Sequence, residues 1–198
     1  YTFEYSMEDA IKNGVLCKYY YYPHVVQLTS LEMDEYVEIS EKISRYYNYN
    51  TDTFDSDDEV LKMLLLARKR IIHKAENKLS VFTDIIRNWH KEKGSLKYTL
   101  VYVPEGNVPD YIANSDDFDN ISETDEDVDA AHLINLYTKA VIEVDKRVTV
   151  RKFTSELRDR DEVLNDFAVG KLDVLTSMKC LDEGVDVPRS ELAIFCSS

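Results

Sequence analysis

The residues best placed to do chemistry lie between Phe153 and Phe195, in FTSELRDRDEVLNDFAVGKLDVLTSMKCLDEGVDVPRSELAIF. This stretch reads as strand, polar turn, helix, strand, polar Gly-containing loop and strand. Thr154, Ser155 and the loop from Met178 to Pro188 then fall at the C-terminal ends of strands, where open α/β sheets bind ligands. In the loop, acidic side chains stand beside Gly184, which lets a ligand approach the backbone, and Pro188, which restricts the exit. Other chemistry has less support. His24, His73, His90 and His132 lack metal-ligand spacing, so each reads as structural or exposed and no metal site is expected. Cys180 has no neighbouring histidine to act as a base, which argues against a thiol nucleophile. Trp89 and the tyrosines could stack bases, but aromatic residues at helical spacing more often belong to a core.

The elements that position this stretch follow from periodicity. Tyr1 to Gln27 is aromatic and β-prone and reads as extended. Thr29 and Glu32 have capping-box spacing, and Leu31, Tyr36, Ile39 and Ile43 share one face, which predicts a helix from about Leu31 to Tyr47. Apolar spacing from Asp58 to Lys93 predicts two further helices, closed by Gly94. Their middle carries Arg68, Lys69, Arg70, His73, Lys74 and Lys78, read first as a solvated face and alternatively as a contact for a phosphate backbone. From Lys97 strands and helices alternate: strands at Tyr98–Val103, Val148–Phe153, Leu172–Thr176 and Leu192–Phe195, helices at Ala130–Val144 and Arg158–Phe167. That order implies βαβ units and a parallel sheet covered on both faces.

Composition sets outer limits. The 198 residues suit one domain with an appendage, and the formal net charge of -14 argues against coating nucleic acid by bulk electrostatics. Much of the acid sits between Asp110 and Asp129, where a solvated loop is expected. Three cysteines at unmatched spacings read as reduced thiols in a cytoplasmic protein. No apolar run approaches the roughly 20 residues of a membrane helix. The absence of an initiator Met at Tyr1 and the apolar run just before Ser198 read as the ends of a piece cut from a longer protein.

On these residues the chain resembles the second RecA-like domain of superfamily 2 helicases. LDEGVDVP is similar to their motif V, in the form found in restriction-enzyme and DNA-repair translocases; Thr99–Val103 is similar to the strand around motif IV, and FTSE to the polar turn after the second strand. The Tyr-rich GxLxxYxYYP pattern at Gly14–Pro23 is similar to the linker leaving a first motor domain. The resemblance implies residues 1–95 as an extended segment plus helical linker, and 96–198 as the RecA-like domain, truncated before motif VI. It implies that Asp186 accepts a hydrogen bond from the ribose hydroxyls of ATP, that Gly184 brings the backbone close to the nucleotide, and that Ser177 to Lys179 face nucleic-acid phosphates. Thr154 and Ser155 would be second backbone contacts, since hydroxyl and amide donors position a strand without reading its sequence. Two departures matter: Met178 stands where many relatives carry threonine, and Glu183 where others carry arginine, so phosphate contact passes to Ser177 or Thr176.

ATP hydrolysis in this class also needs a Gly-rich phosphate loop with its lysine, an acidic magnesium box and phosphate-facing arginines. The chain has no GxxxxGK[ST] and no DEAH-like box, and motif VI would lie beyond Ser198. The expectation is therefore one wall of an ATP and Mg2+ cleft in a larger DNA helicase or translocase. This piece would be inactive alone, with the first RecA-like domain, DNA and restriction or repair subunits as partners. The alternative is a non-catalytic RecA-like module that binds proteins.

Overall fold

The computed structural model describes residues 6–48, 53–54, 58–104, 123–154, 156–178, 187 and 189–196. In chain order its elements are α1 (Met7–Lys12), α2 (Ser30–Ser44), β1 (Tyr47–Asn48), β2 (Thr53–Phe54), α3 (Glu59–Lys74), α4 (Asn77–Lys93), β3 (Thr99–Tyr102), α5 (Glu123–Val144), β4 (Val150–Phe153), α6 (Arg160–Ala168), β5 (Val174–Ser177) and β6 (Leu192–Phe195).

Local chemistry sets the helix boundaries. Ser6 caps α1 and Asp58 caps α3 through side-chain oxygens that accept N–H bonds from the first turn. At α2 the box is complete: Thr29 Oγ1 accepts from Glu32 N at 3.3 Å, and Thr29 N donates to Glu32 Oε2 at 2.8 Å. The other Glu32 oxygen accepts from Glu76 N at 2.9 Å, so the cap of α2 also fastens the α3–α4 junction. α4 ends at Gly94, whose φ of 71° is the left-handed conformation that glycine adopts cheaply.

β3, β4, β5 and β6 form one parallel sheet in the order β4-β5-β3-β6, and helices cover both faces. On one face Phe82 and Ile86 of α4 and Ile134, Tyr137 and Val141 of α5 pack against Val101, Val174 and Ile194. On the other, Val163 and Phe167 of α6 pack against Leu100, Phe153 and Leu175. Neighbours along each strand thus go to opposite helical layers, the period of two that a strand imposes. Phe82, Phe153 and Phe167 are each within 2% of full burial, worth about 1.5–3 kcal/mol apiece. A separate cluster of Ile39, Ile43, Leu61 and Ile71 joins α2 to α3. The expected α/β architecture, a RecA-like parallel sheet between helical layers with helices ahead of it, is present.

Two details differ from the sequence expectation, and two contacts add to it. α5 starts at Glu123, so the C-terminal part of the acidic stretch expected as loop is helical; residues 105–122 lie outside the described residues. α1 and the β1–β2 antiparallel pair interrupt segments read as extended or irregular. α4, in the segment ahead of the sheet, packs on it through Phe82 and Ile86. Arg68, one of the basic cluster, has its guanidinium 5.7 Å from the Tyr36 ring centroid and belongs to the α2–α3 contact.

Candidate nucleotide and nucleic-acid edge

The register brings the strands to a common end. Phe153 pairs with Ser177, Ser177 with Tyr102, and Tyr102 with Phe195, so all four finish level. The ladder continues one residue further, with Val103 N donating to Ser177 O at 2.8 Å and Cys196 N to Tyr102 O at 2.9 Å. Thr154 follows β4 and Met178 follows β5, so these two residues stand at neighbouring strand ends.

The two hydroxyls at the end of β5 go to opposite faces. Thr176 is fully buried, and its Oγ1 lies 3.0 Å from Thr138 Oγ1 on α5. It therefore fastens α5 to the sheet. Ser177 shares the α6 face with its register partner Phe153. It is fully buried too, yet its Oγ has no hydrogen-bond partner among the described residues. A buried hydroxyl without a partner forfeits about 1–3 kcal/mol, and such groups concentrate where a ligand or water completes the bond.

Thr154 is half-buried, and its carbonyl accepts from Leu157 N at 3.2 Å and from Arg160 Nη2 at 3.4 Å. The Arg160 guanidinium carbon lies 5.2 Å from the Phe153 ring centroid. Arg160 opens α6 and so holds the turn after β4 against the sheet edge, a role the sequence reading missed. The available signal was an arginine at the first position of a helix that follows a polar turn.

Ser155, Lys179, Gly184 and Asp186 lie outside the described residues. The chain is described again at Val187, which packs against the α6-side core, and at Arg189, whose guanidinium carbon is 3.8 Å from the Tyr98 ring centroid. Glu191 N then donates to Tyr98 O at 2.9 Å, just before β3 begins. Since β6 pairs in parallel with β3, residues 178–191 connect the C-terminal edge of β5 to the N-terminal edge of β6, and Val187 contributes to the α6 side. Among the described residues, no group of His, Cys, Asp and Glu could hold a metal ion. Nor is any described helix long and apolar enough to cross a membrane.

No protein-family model matches the chain, and no curated protein is similar to it. Among solved structures it is similar to the helicase domain of Hef from Pyrococcus furiosus, at 17% identity and a TM-score of 0.41. That match covers 82% of this chain and 28% of the other. The chain spans well under half the length of that relative.

Proposed function

We propose that this chain is the second RecA-like motor domain of a superfamily 2 helicase or translocase acting on nucleic acid, DNA in preference to RNA. It supplies one wall of an ATP cleft and a grip on backbone phosphates. One observation carries the reading: β5 ends, level with its neighbours and beside Thr154, on a buried Ser177 hydroxyl that has no partner among the described residues, and LDEGVDVP follows after three intervening residues in the sequence. In this assignment Asp186 holds the ribose hydroxyls and Gly184 admits the nucleotide to the backbone. Ser177, Lys179, Thr154 and Ser155 hold phosphate oxygens, with Thr176 fastening the strand behind them. Bound ATP with Mg2+ supplies the phosphoryl transfer whose energy the motor uses. Its phosphate loop, magnesium ligands and arginines come from the rest of a longer chain and from a first RecA-like domain. Closing and reopening that cleft changes the spacing between two phosphate-holding surfaces, which moves the pair along a strand.

The test is Asp186→Ala in the full-length protein, read as DNA-stimulated phosphate release. Loss of a hydrogen bond to a charged group predicts a roughly ten- to hundredfold fall in turnover at low ATP. Undiminished turnover would remove the nucleotide assignment and leave a RecA-shaped interaction module.

A further inference from the structure

The sequence reading assigned the tyrosines to a core, and the structure places one group of them outside it. Every residue from Lys12 to Val25 is exposed. Tyr19, Tyr20, Tyr21 and Tyr22 are 58%, 71%, 77% and 74% exposed. The segment has no regular secondary structure after Leu16, and among the described residues no backbone group from Lys18 to Val26 is hydrogen-bonded. It is nevertheless tethered at both ends. Tyr19 Oη donates to Met7 Sδ at 3.2 Å on α1, and Gln27 O accepts from Asn77 Nδ2 at 2.8 Å at the start of α4.

Its charge is also distinct. The whole chain carries 38 Asp and Glu in 198 residues, yet none stands between Asp9 and Glu32, where the charged side chains are Lys12 and Lys18. Lys18 Nζ lies 5.6 Å from the Tyr20 ring centroid. Tyrosine rings stack on flat aromatic ligands, and they lose little side-chain entropy in doing so because two torsions fix them. An acid-free run of tyrosines beside a lysine suits a ligand that offers both aromatic faces and negative charge. Single-stranded nucleic acid offers both, whereas a duplex hides its base faces.

We infer that the Lys18–Tyr22 segment is a stacking platform for the bases of single-stranded nucleic acid. The inference rests on the nucleic-acid reading above and adds strand type and a second contact, remote in sequence from the β5 edge.

The experiment uses the 198-residue chain and measures anisotropy of labelled oligothymidylate, oligouridylate and a duplex of equal length at low salt. Tyr20, Tyr21 and Tyr22 are replaced together by Ala, and separately together by Phe; their exposure leaves folding intact, which circular dichroism checks. The Ala variant is expected to lose about tenfold or more in single-strand affinity while the Phe variant keeps it, with duplex binding unchanged. Equal single-strand affinity in the Ala variant overturns the platform. If Thr154→Ala/Ser177→Ala/Lys179→Ala in the same assay does weaken binding, the edge reading survives that result. A wild-type chain that binds no strand overturns both. Unchanged strand affinity, together with conversion of a dimer to a monomer on sedimentation, would instead identify a second copy of this chain as what covers the tyrosines.

Discussion

A hydroxyl has one hydrogen to give, and that fixes the direction of the buried threonine pair. Thr138 Oγ1 donates to Ile134 O on its own helix at 2.7 Å, so in its 3.0 Å contact with Thr176 it must accept. The two single replacements are therefore unequal. Thr176→Val removes a donor but leaves Thr138 bonded to its carbonyl, at a cost of about 0.5–1.5 kcal/mol. Thr138→Val strands a fully buried Thr176 hydroxyl and costs more, about 1–3 kcal/mol. The double variant should lie near the milder single. Urea unfolding midpoints of the three variants check the order, and equal losses for the two singles would refute the assigned direction. The sequence showed that hydroxyls cluster at the end of β5. It did not show which of them a helix takes up, because that depends on α5 crossing the strand at Thr138.

At the scale of elements, two joints lend themselves to measurement. The first is the turn from α6 to β5, where Gly170 has a φ of 75° and an added Cβ would lie 2.7 Å from Tyr98 Oη. Gly170→Ala meets both a disfavoured backbone conformation and that clash, and should cost roughly 1–3 kcal/mol by chemical denaturation. The second is Asp145, which follows α5. Its carboxylate accepts from Arg147 Nε at 3.1 Å, Arg147 Nη2 at 3.0 Å and Arg147 N at 3.0 Å, and lies 3.2 Å from His90 Nε2 on α4. Hydrogen bonds from Arg147 hold this carboxyl well below the usual carboxylate range. The folded protein thus binds fewer protons here than the unfolded chain. The resulting stability is present above the ordinary carboxylate pKa, and it is lost as pH falls toward the depressed value. Asp145→Asn should remove that part of the decline in stability between about pH 4 and pH 2, seen as a shallower slope in acid titration. Much of this scale was legible in advance: the Thr29–Glu32 box, the break between α3 and α4, Gly94 and the four strands of the parallel sheet. Where the reading failed, the elements were short or the composition misled. α1 has 6 residues and β1 and β2 have 2 each, too few to show a period. The start of α5 is acidic, which signals solvation and does not exclude helix, since acid near an N-terminus opposes the helix dipole favourably.

Taken whole, the molecule has two cores on either side of one sheet and a third where α2 meets α3, with α4 lying over the sheet and joined by a short turn to α3. Hydrogen bonds from Glu76 N to Glu32 and from Asn77 Nδ2 to Gln27 O pin the first turn of α2 and the segment before it to that turn. The sheet order has a consequence for how the protein is made. β3 is an interior strand, yet its two neighbours, β5 and β6, are the last strands of the sheet in the chain. During synthesis it emerges with both edges empty, and the final partner follows about 90 residues later, roughly 5–20 s at ordinary elongation rates. Until β5 emerges, Leu100 and Val101, both nearly fully buried in the finished protein, have no strand beside them, and until β6 follows one edge stays open. A ribosome translating this message therefore holds out an unpaired apolar strand, and chaperones that bind such segments have their opportunity before β6 arrives.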